Sequence, residues 1–518
     1  MSRREGGGDF VGVNPLHALF TADPERCSPF SPSNRSVLNP LYIALDHIPG
    51  IAVPFAGEDV ARARLQASDK VDYQGVAALK LGRLRTHWRR IHEEPRRCKE
   101  AAPESFERFV EEGGAALRDH ALFEALSHHM VAQGHSAGWQ GWPEAYRSPN
   151  SAAVQRFAAE QADEVRFHLW LQWLADVQLQ AAAERARAAG MRIGLYLDLA
   201  VGAAPDGSAT WSDPELVVPG ANIGAPPDAF FAGGQNWGLA PLSPAALRAR
   251  QLAPYRRVLG RTTRHAGAIR LDHAMGLHRL FWIPHGMTAK QGCYVLYPLA
   301  DMLQALADIS AAQRAIVVGE DLGTVPKGFR ELMQSVNMLS YRVLYFEWVR
   351  GSLRAAASYR RNAFVTASTH DLPPLASWWA GADIALFREL GLLDSATAEQ
   401  RRQQRAHDRR ALITRLRRDL PGRSLPASLK ADSADEKRGL TQDVAVAIQA
   451  FLARTPSWLL GLQFEDLCGA EAPVNIPGTW KEYPNWQLRA PASIEEAVES
   501  ALWTASIQAV TNERPRSG

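Results

Sequence analysis

Residues 266–284 read AGAIRLDHAMGLHRLFWIP, a stretch that begins as a buried strand and then places Arg270, Asp272 and His273 where the apolar run should continue. Side chains two apart in a strand share a face, so Arg270 and Asp272 point one way while Ile269 and Leu271 pack on the other. An arginine beside an aspartate can hold the carboxylate ionised and oriented, which is what a carboxylate nucleophile needs. The same pair also reads as a structural ion pair closing the end of a strand, and the stretch alone does not separate the two.

Two more apolar runs end in the same way. VVGEDLGTVP carries Glu320 and Asp321, and TASTHDLPPLASWW carries His370 and Asp371. Singly, each acid reads equally as a helix cap or a loop carboxylate. Three acidic strand ends together repel one another, a cost in stability that function has to offset.

Seven short apolar runs predict strands at 10–18, 192–201, 267–274, 315–322, 340–347, 363–371 and 457–463. Alanine-rich amphipathic stretches lie between them, such as FHLWLQWLADVQLQAAAERARAAG, where Trp170, Trp173, Leu174 and Val177 recur at helical spacing before Gly190. Strands alternating with helices imply a parallel sheet. Strand ends that turn polar point to an α/β fold of the (β/α)8 TIM-type barrel class, whose active sites sit on the loops after the strands. A doubly wound sheet is the alternative, but no Gly-rich phosphate turn follows any strand.

Residues 1–518 are expected to form one catalytic barrel with insertions. Segments 50–190 and 380–455 are too long for simple crossovers and read as helical insertions. Segment 220–244, rich in Gly, Pro, amides and aromatics, reads as a structureless active-site loop, with disorder the alternative that Phe230, Phe231 and Trp237 argue against.

Composition narrows the function classes. The chain of 518 residues is 46% hydrophobic and 22% charged, with 58 Lys and Arg against 55 Asp and Glu, so it is globular and its basic residues form no nucleic-acid-binding block. No run of about 18 apolar residues and no signal peptide occur, so neither membrane nor export is expected. Cys27, Cys98, Cys293 and Cys468 lie far apart, which fits neither a zinc site nor a disulfide framework and favours the cytoplasm. Carboxylates with many aromatics, and without a serine elbow or HExxH motif, point to glycosidic-bond chemistry.

At these residues the chain resembles the 4-α-glucanotransferases of the α-amylase clan, the amylomaltase or disproportionating-enzyme family, and within them the MalQ branch. The resemblance covers nearly the whole chain, through FVGVNPLHALF, SPFSPSNRSVLNPLYI, GAPPDAFFAGGQNWG, IRLDHAMGLHRLFWIP, VVGEDLGTVP, ASTHDLPPL and APVNIPGTWKEYPNW. It implies Asp272 as nucleophile, Glu320 as general acid/base and Asp371 as the carboxylate that stabilises the transition state. Arg270 would orient Asp272, and His370 would bind sugar beside Asp371. Asp206 matches a substrate-binding acid of the family best, with Asp198 a competitor. Trp237 and Gln235 would contact sugar from the 220–244 loop, Asn475 would close the far side of the cleft, and Phe30 stands where relatives often carry a stacking Tyr. Maltooligosaccharides or other α-1,4-glucans are the implied donors and acceptors, and no cofactor or metal is implied. A hydrolase acting on the same bond is the alternative, as is an inactive fragment that only binds glucan.

The resemblance also makes GGGDFVGVNPLHA the second barrel strand. With seven strands counted, the expectation is that this chain begins inside the barrel and lacks its first strand, unless LYIALDHI is an eighth.

Overall fold

The computed structural model describes residues 7–48, 51, 57–93, 103–228, 233–420 and 439–515. Strands form at all seven expected places: β1 (Phe10–Gly12), β2 (Gly194–Leu199), β3 (Ala268–Leu271), β4 (Ile316–Gly319), β5 (Leu339–Val343), β6 (Ala363–Thr366) and β7 (Leu459–Gly461). Each is shorter than its apolar run, because the polar ends turn away from the ladder. LYIALDHI is no strand; it makes two 3-10 turns, Pro40–Tyr42 and Leu45–His47, the first begun by the Asn39 side chain accepting from Leu41 N–H.

The chain divides into two compact units, Asp9–Val317 and Val318–Gly518 with the first eight residues. In the first, β1 runs parallel to β2 and β2 to β3, with Asp198 directly opposite Arg270. Ile316, at the start of β4, donates its N–H to Gly267 at 3.0 Å. In the second unit, Val318 and Gly319 pair with β5, and β5, β6 and β7 continue in parallel. Parallel strands in chain order, joined by helices, make this a TIM-type (β/α) barrel fold.

Both long insertions are helical. The first holds Glu58–Ala67, Tyr73–Glu93, Pro103–Ala132, Ala152–Glu160 and Ala162–Ala188. Trp170 and Trp173 are buried there with Trp88, Phe106 and Phe167, whereas Val177 faces solvent. The second holds Ala382–Glu389, Ser395–Asp419 and Gln442–Ala453, packed through Leu412, Leu416, Ile448 and Phe451 against Val365, Trp378 and Trp379. Each such side chain contributes about 1.5–3 kcal/mol on full burial.

The 220–244 segment departs from expectation. Ala221–Ala225 and Gln235–Leu239 pair antiparallel, and with Arg279–Pro284 and Cys293–Leu296 they form a four-stranded sheet. A ladder of backbone hydrogen bonds, with Ile223, Leu239 and Ile283 buried, orders a stretch whose side chains carry little apolar signal. Phe230 and Phe231 lie outside the described residues. The LHRLFWIP half of the opening stretch belongs to this sheet, separated from β3 by a sharp turn.

Gly267 sets the entry to β3. Its N–H donates to Leu195 at 2.9 Å, and a Cβ there would lie 1.7 Å from the Ile193 carbonyl oxygen. Gly267→Ala must therefore push β2 and β3 apart. We expect a loss of about 3 kcal/mol in denaturant unfolding, the upper end for overpacking; an unchanged midpoint would mean the strands yield freely.

Candidate active site

In the first unit the site is built around Arg270. Its Nη1 donates to Asp198 Oδ1 and Oδ2, both at 2.9 Å, and its Nη2 lies 2.8 Å from Asp272 Oδ1. The register explains the triad. Asp198 and Arg270 are cross-strand neighbours on one face, and Asp272 follows Arg270 by two on the same face, its N–H held by Leu199 O at 3.1 Å. The three side chains are only 7–16% exposed, so charge is matched where water is scarce.

The chain turns directly after Asp272. His273 adopts φ 45° and ψ 61°, a left-handed conformation uncommon for a non-glycine, and starts the 3-10 turn Ala274–Leu277. Burial lowers the His273 pKa to about 4, with Arg270 and Arg279 adding to the shift and Asp272 opposing it, so the ring is neutral near pH 7. The Trp237 ring meets it edge-on at 5.1 Å, and Trp237 Nε1 donates to Gln235 Oε1 at 3.2 Å. The Arg270 guanidinium lies 5.8 Å from the centre of the Phe30 ring. Asp272, Arg270, Phe30 and the Trp237–Gln235 pair are thus linked through Arg270 and His273. Asp206 is engaged elsewhere, in a two-pronged ion pair with Arg26 at 2.8 and 2.9 Å; of the two competing acids, Asp198 is the one on Arg270.

In the second unit, β4 ends at Gly319 and presents two acids with different surroundings. Asp321 is fully buried. It accepts from Ser340 Oγ at 2.5 Å, Tyr341 N–H at 2.8 Å, Arg330 Nε at 2.7 Å and Arg342 Nη2 at 3.2 Å. Glu320 is 8% exposed, and its Oε1 accepts from Leu322 N–H at 2.6 Å. Asp321 anchors the turn, and Glu320 is the more exposed of the two.

After β6, Asp371 accepts from Asn475 Nδ2 at 2.7 Å and lies 3.2 Å from His370 Nε2. The His370 ring packs on Trp486 at 5.6 Å, and Trp486 itself sits at φ 65°. Asp371 thus touches both its neighbour His370 and Asn475, which lies far off in sequence. Sequence reasoning passed over Asp466, which lies beneath this group; its signal was a further apolar run ending in acid, SWLLGLQFED. Among the described residues no group of three or more His, Cys, Asp or Glu could hold a metal ion.

The two neighbouring acids on β4 should respond differently to loss of charge. Asp321→Asn breaks a buried pair and should cost about 3–5 kcal/mol, whereas Glu320→Gln should cost under about 1 kcal/mol. Equal losses in denaturant melts would contradict the division of labour.

A family model described as 4-alpha-glucanotransferase matches residues 2–494. A curated 4-alpha-glucanotransferase of Haemophilus influenzae is 36% identical over 493 residues, covering 93% of this chain and 70% of its own length. One of Mycobacterium tuberculosis is 36% identical over 501 residues, 93% of this chain and 66% of its own length; this chain thus spans about two thirds of these relatives. Among solved structures, the amylomaltase of Corynebacterium glutamicum superposes with TM-score 0.82 at 29% identity, over 98% of this chain and 70% of that one. The Streptococcus agalactiae amylomaltase, solved with acarbose, gives 0.76 at 18% identity, over 99% and 94%, a likeness of fold. The chain belongs to the 4-alpha-glucanotransferase family of glycosyl-transferring enzymes.

Proposed function

We propose that this chain transfers a segment of an α-1,4-glucan to the 4-hydroxyl of an acceptor glucose or glucan, with retention of configuration. The carrying observation is the contact of Arg270 with Asp272 at 2.8 Å on a buried strand end, in a chain of this family. A guanidinium presents its donors in a rigid fork, so it can hold Asp198 and Asp272 together. One Asp272 oxygen is thereby oriented and the other is left for attack.

In the first step Asp272 attacks the anomeric carbon and Glu320, starting protonated, gives its proton to the departing glucosidic oxygen. The reducing-end fragment leaves and a covalent glucosyl ester remains. In the second step Glu320, now a carboxylate, takes the proton of an acceptor 4-hydroxyl, whose oxygen displaces Asp272. Asp371, with His370 and Asn475, hydrogen-bonds sugar hydroxyls as positive charge develops at the anomeric centre. Phe30 and Trp237 supply apolar faces for sugar rings, with Gln235 as a polar contact. Asp206 binds substrate at a more distant position or, given its pairing with Arg26, acts through that pair. Transfer exceeds hydrolysis where an acceptor sugar replaces water. Maltooligosaccharides are the substrates that this chemistry takes, and the cytoplasm is the compartment that the widely spaced cysteines favour.

Incubation with maltotriose tests the reading. Transfer gives glucose plus a ladder of longer chains with no net gain of reducing ends. Reducing ends that rise without elongation would assign a hydrolase, and no reaction would assign a fragment that only binds glucan. Asp272→Asn should lower transfer on the order of 10³-fold or more while maltotriose binding persists; retained turnover would remove Asp272 from the nucleophile role.

A further inference from the structure

The segment after β6 carries His370 and Asp371, whose side chains are 14% and 44% exposed. Besides their own contacts with Trp486 and Asn475, the segment is held from below, from the short helix Phe464–Leu467 that follows β7.

Asp466, 4% exposed, accepts from two donors at opposite ends of this turn. Ser368 Oγ donates to its Oδ2 at 2.7 Å, and the Leu375 N–H donates to its Oδ1 at 2.7 Å. Between those points, Tyr345 Oη donates to Pro373 O at 3.0 Å, with the Tyr345 ring stacked on Trp378 at 5.1 Å and 10°. Ser368 and Leu375 are both buried. One carboxylate thus grips both feet of the turn from which His370 and Asp371 project.

We infer that Asp466 is a positioning residue, which in its ionised form holds Ser368 and Leu375 so that His370 and Asp371 meet the sugar correctly. The inference rests on the proposed role of Asp371 in glucan transfer.

The chemistry of the grip makes it sensitive to protonation. Burial pushes the Asp466 carboxyl up to about 7, against the hydrogen bonds from Leu375 and Ser368 and with a push from Glu465. The other groups that face it are Tyr345 and Cys468; Arg405 and Asp383, which form an ion pair with each other at 2.8 Å, act on Tyr345. A protonated Asp466 turns one acceptor into a donor. The Leu375 N–H cannot turn away, so the Ser368 hydroxyl must turn to accept from the carboxyl, and that foot loses the stronger bond that a charged acceptor gives.

Stability and activity then move in opposite directions with pH. The folded pKa lies above the ordinary carboxylate value of about 3.9, so the native state keeps a proton that the unfolded chain has released. Its contribution to stability is lost as pH rises through that window towards 7. Asn at this position has no charge to bury and should gain stability over the parent as pH rises.

The test uses the whole chain with Asp466→Asn and Ser368→Ala, following maltotriose disproportionation from about pH 5.5 to about pH 8.5, thermal melting, and amide exchange of segment 366–375. Asp466→Asn should lower kcat about tenfold with KM within about twofold, and should abolish an ascending limb that the parent shows near pH 7. It should melt above the parent by a margin that grows as pH rises towards 7 and then levels off, and exchange faster across 368–375. Ser368→Ala, which has no hydroxyl to reverse, should flatten the same limb and speed exchange around residue 368. Parental kcat, pH limb and exchange in Asp466→Asn would overturn the inference. If the parent forms no ladder, the glucan-transfer reading fails by itself, and exchange alone decides the grip: faster exchange in Asp466→Asn sustains it and unchanged exchange overturns it.

Discussion

The guanidinium of Arg270, held between Asp198 and Asp272, is the interaction on which the arrangement at the first unit's strand ends depends. Burying three charges carries a desolvation penalty that is repaid only when geometry is good and the remaining lone pairs are satisfied. Here the geometry comes from the ladder itself. Asp198 and Arg270 are register partners, and Asp272 lies two residues further on the same face. Gly267 allows β2 and β3 to approach at their start, and His273 turns the chain at their end.

In the second unit, the turns that carry Glu320 and Asp371 are each held by a buried acid that accepts from fixed donors. Asp321 meets Ser340, Tyr341, Arg330 and Arg342 and sets the turn that carries Glu320. Asp466 meets Ser368 and Leu375 and sets the turn that carries Asp371. A buried carboxylate that accepts from fixed donors makes a rigid anchor, because those donors cannot move without breaking the bonds.

Much of this could be read in the sequence, for definite reasons. The parallel strands β2 to β6 are mostly buried on both faces and announce themselves as apolar runs, and their polar ends marked Asp272, Glu320 and Asp371, whereas Val11 of β1 is 38% exposed. Contacts far apart in the chain were not legible. Nothing local tells that Asn475 reaches Asp371, or that Asp206 is taken up by Arg26. Period-two patterning failed for Ala221–Ala225 and Gln235–Leu239, where glycine and amides occupy the positions that apolar residues usually mark, and Gly224 is required because a Cβ would meet the Gln235 carbonyl at 2.1 Å. Asp466 was missed although its strand end has the same form as the others, an apolar run closed by acids.

The central claim is that Asp272 forms a covalent bond to the glucan. It is tested most directly by trapping that bond: Glu320→Gln, which cannot assist the second step, is incubated with a maltooligosaccharyl fluoride, digested, and its peptides weighed. The account predicts a glycosyl mass increment on the peptide containing Asp272, lost when Asp272→Asn is added. A stable increment on any other carboxylate would contradict it.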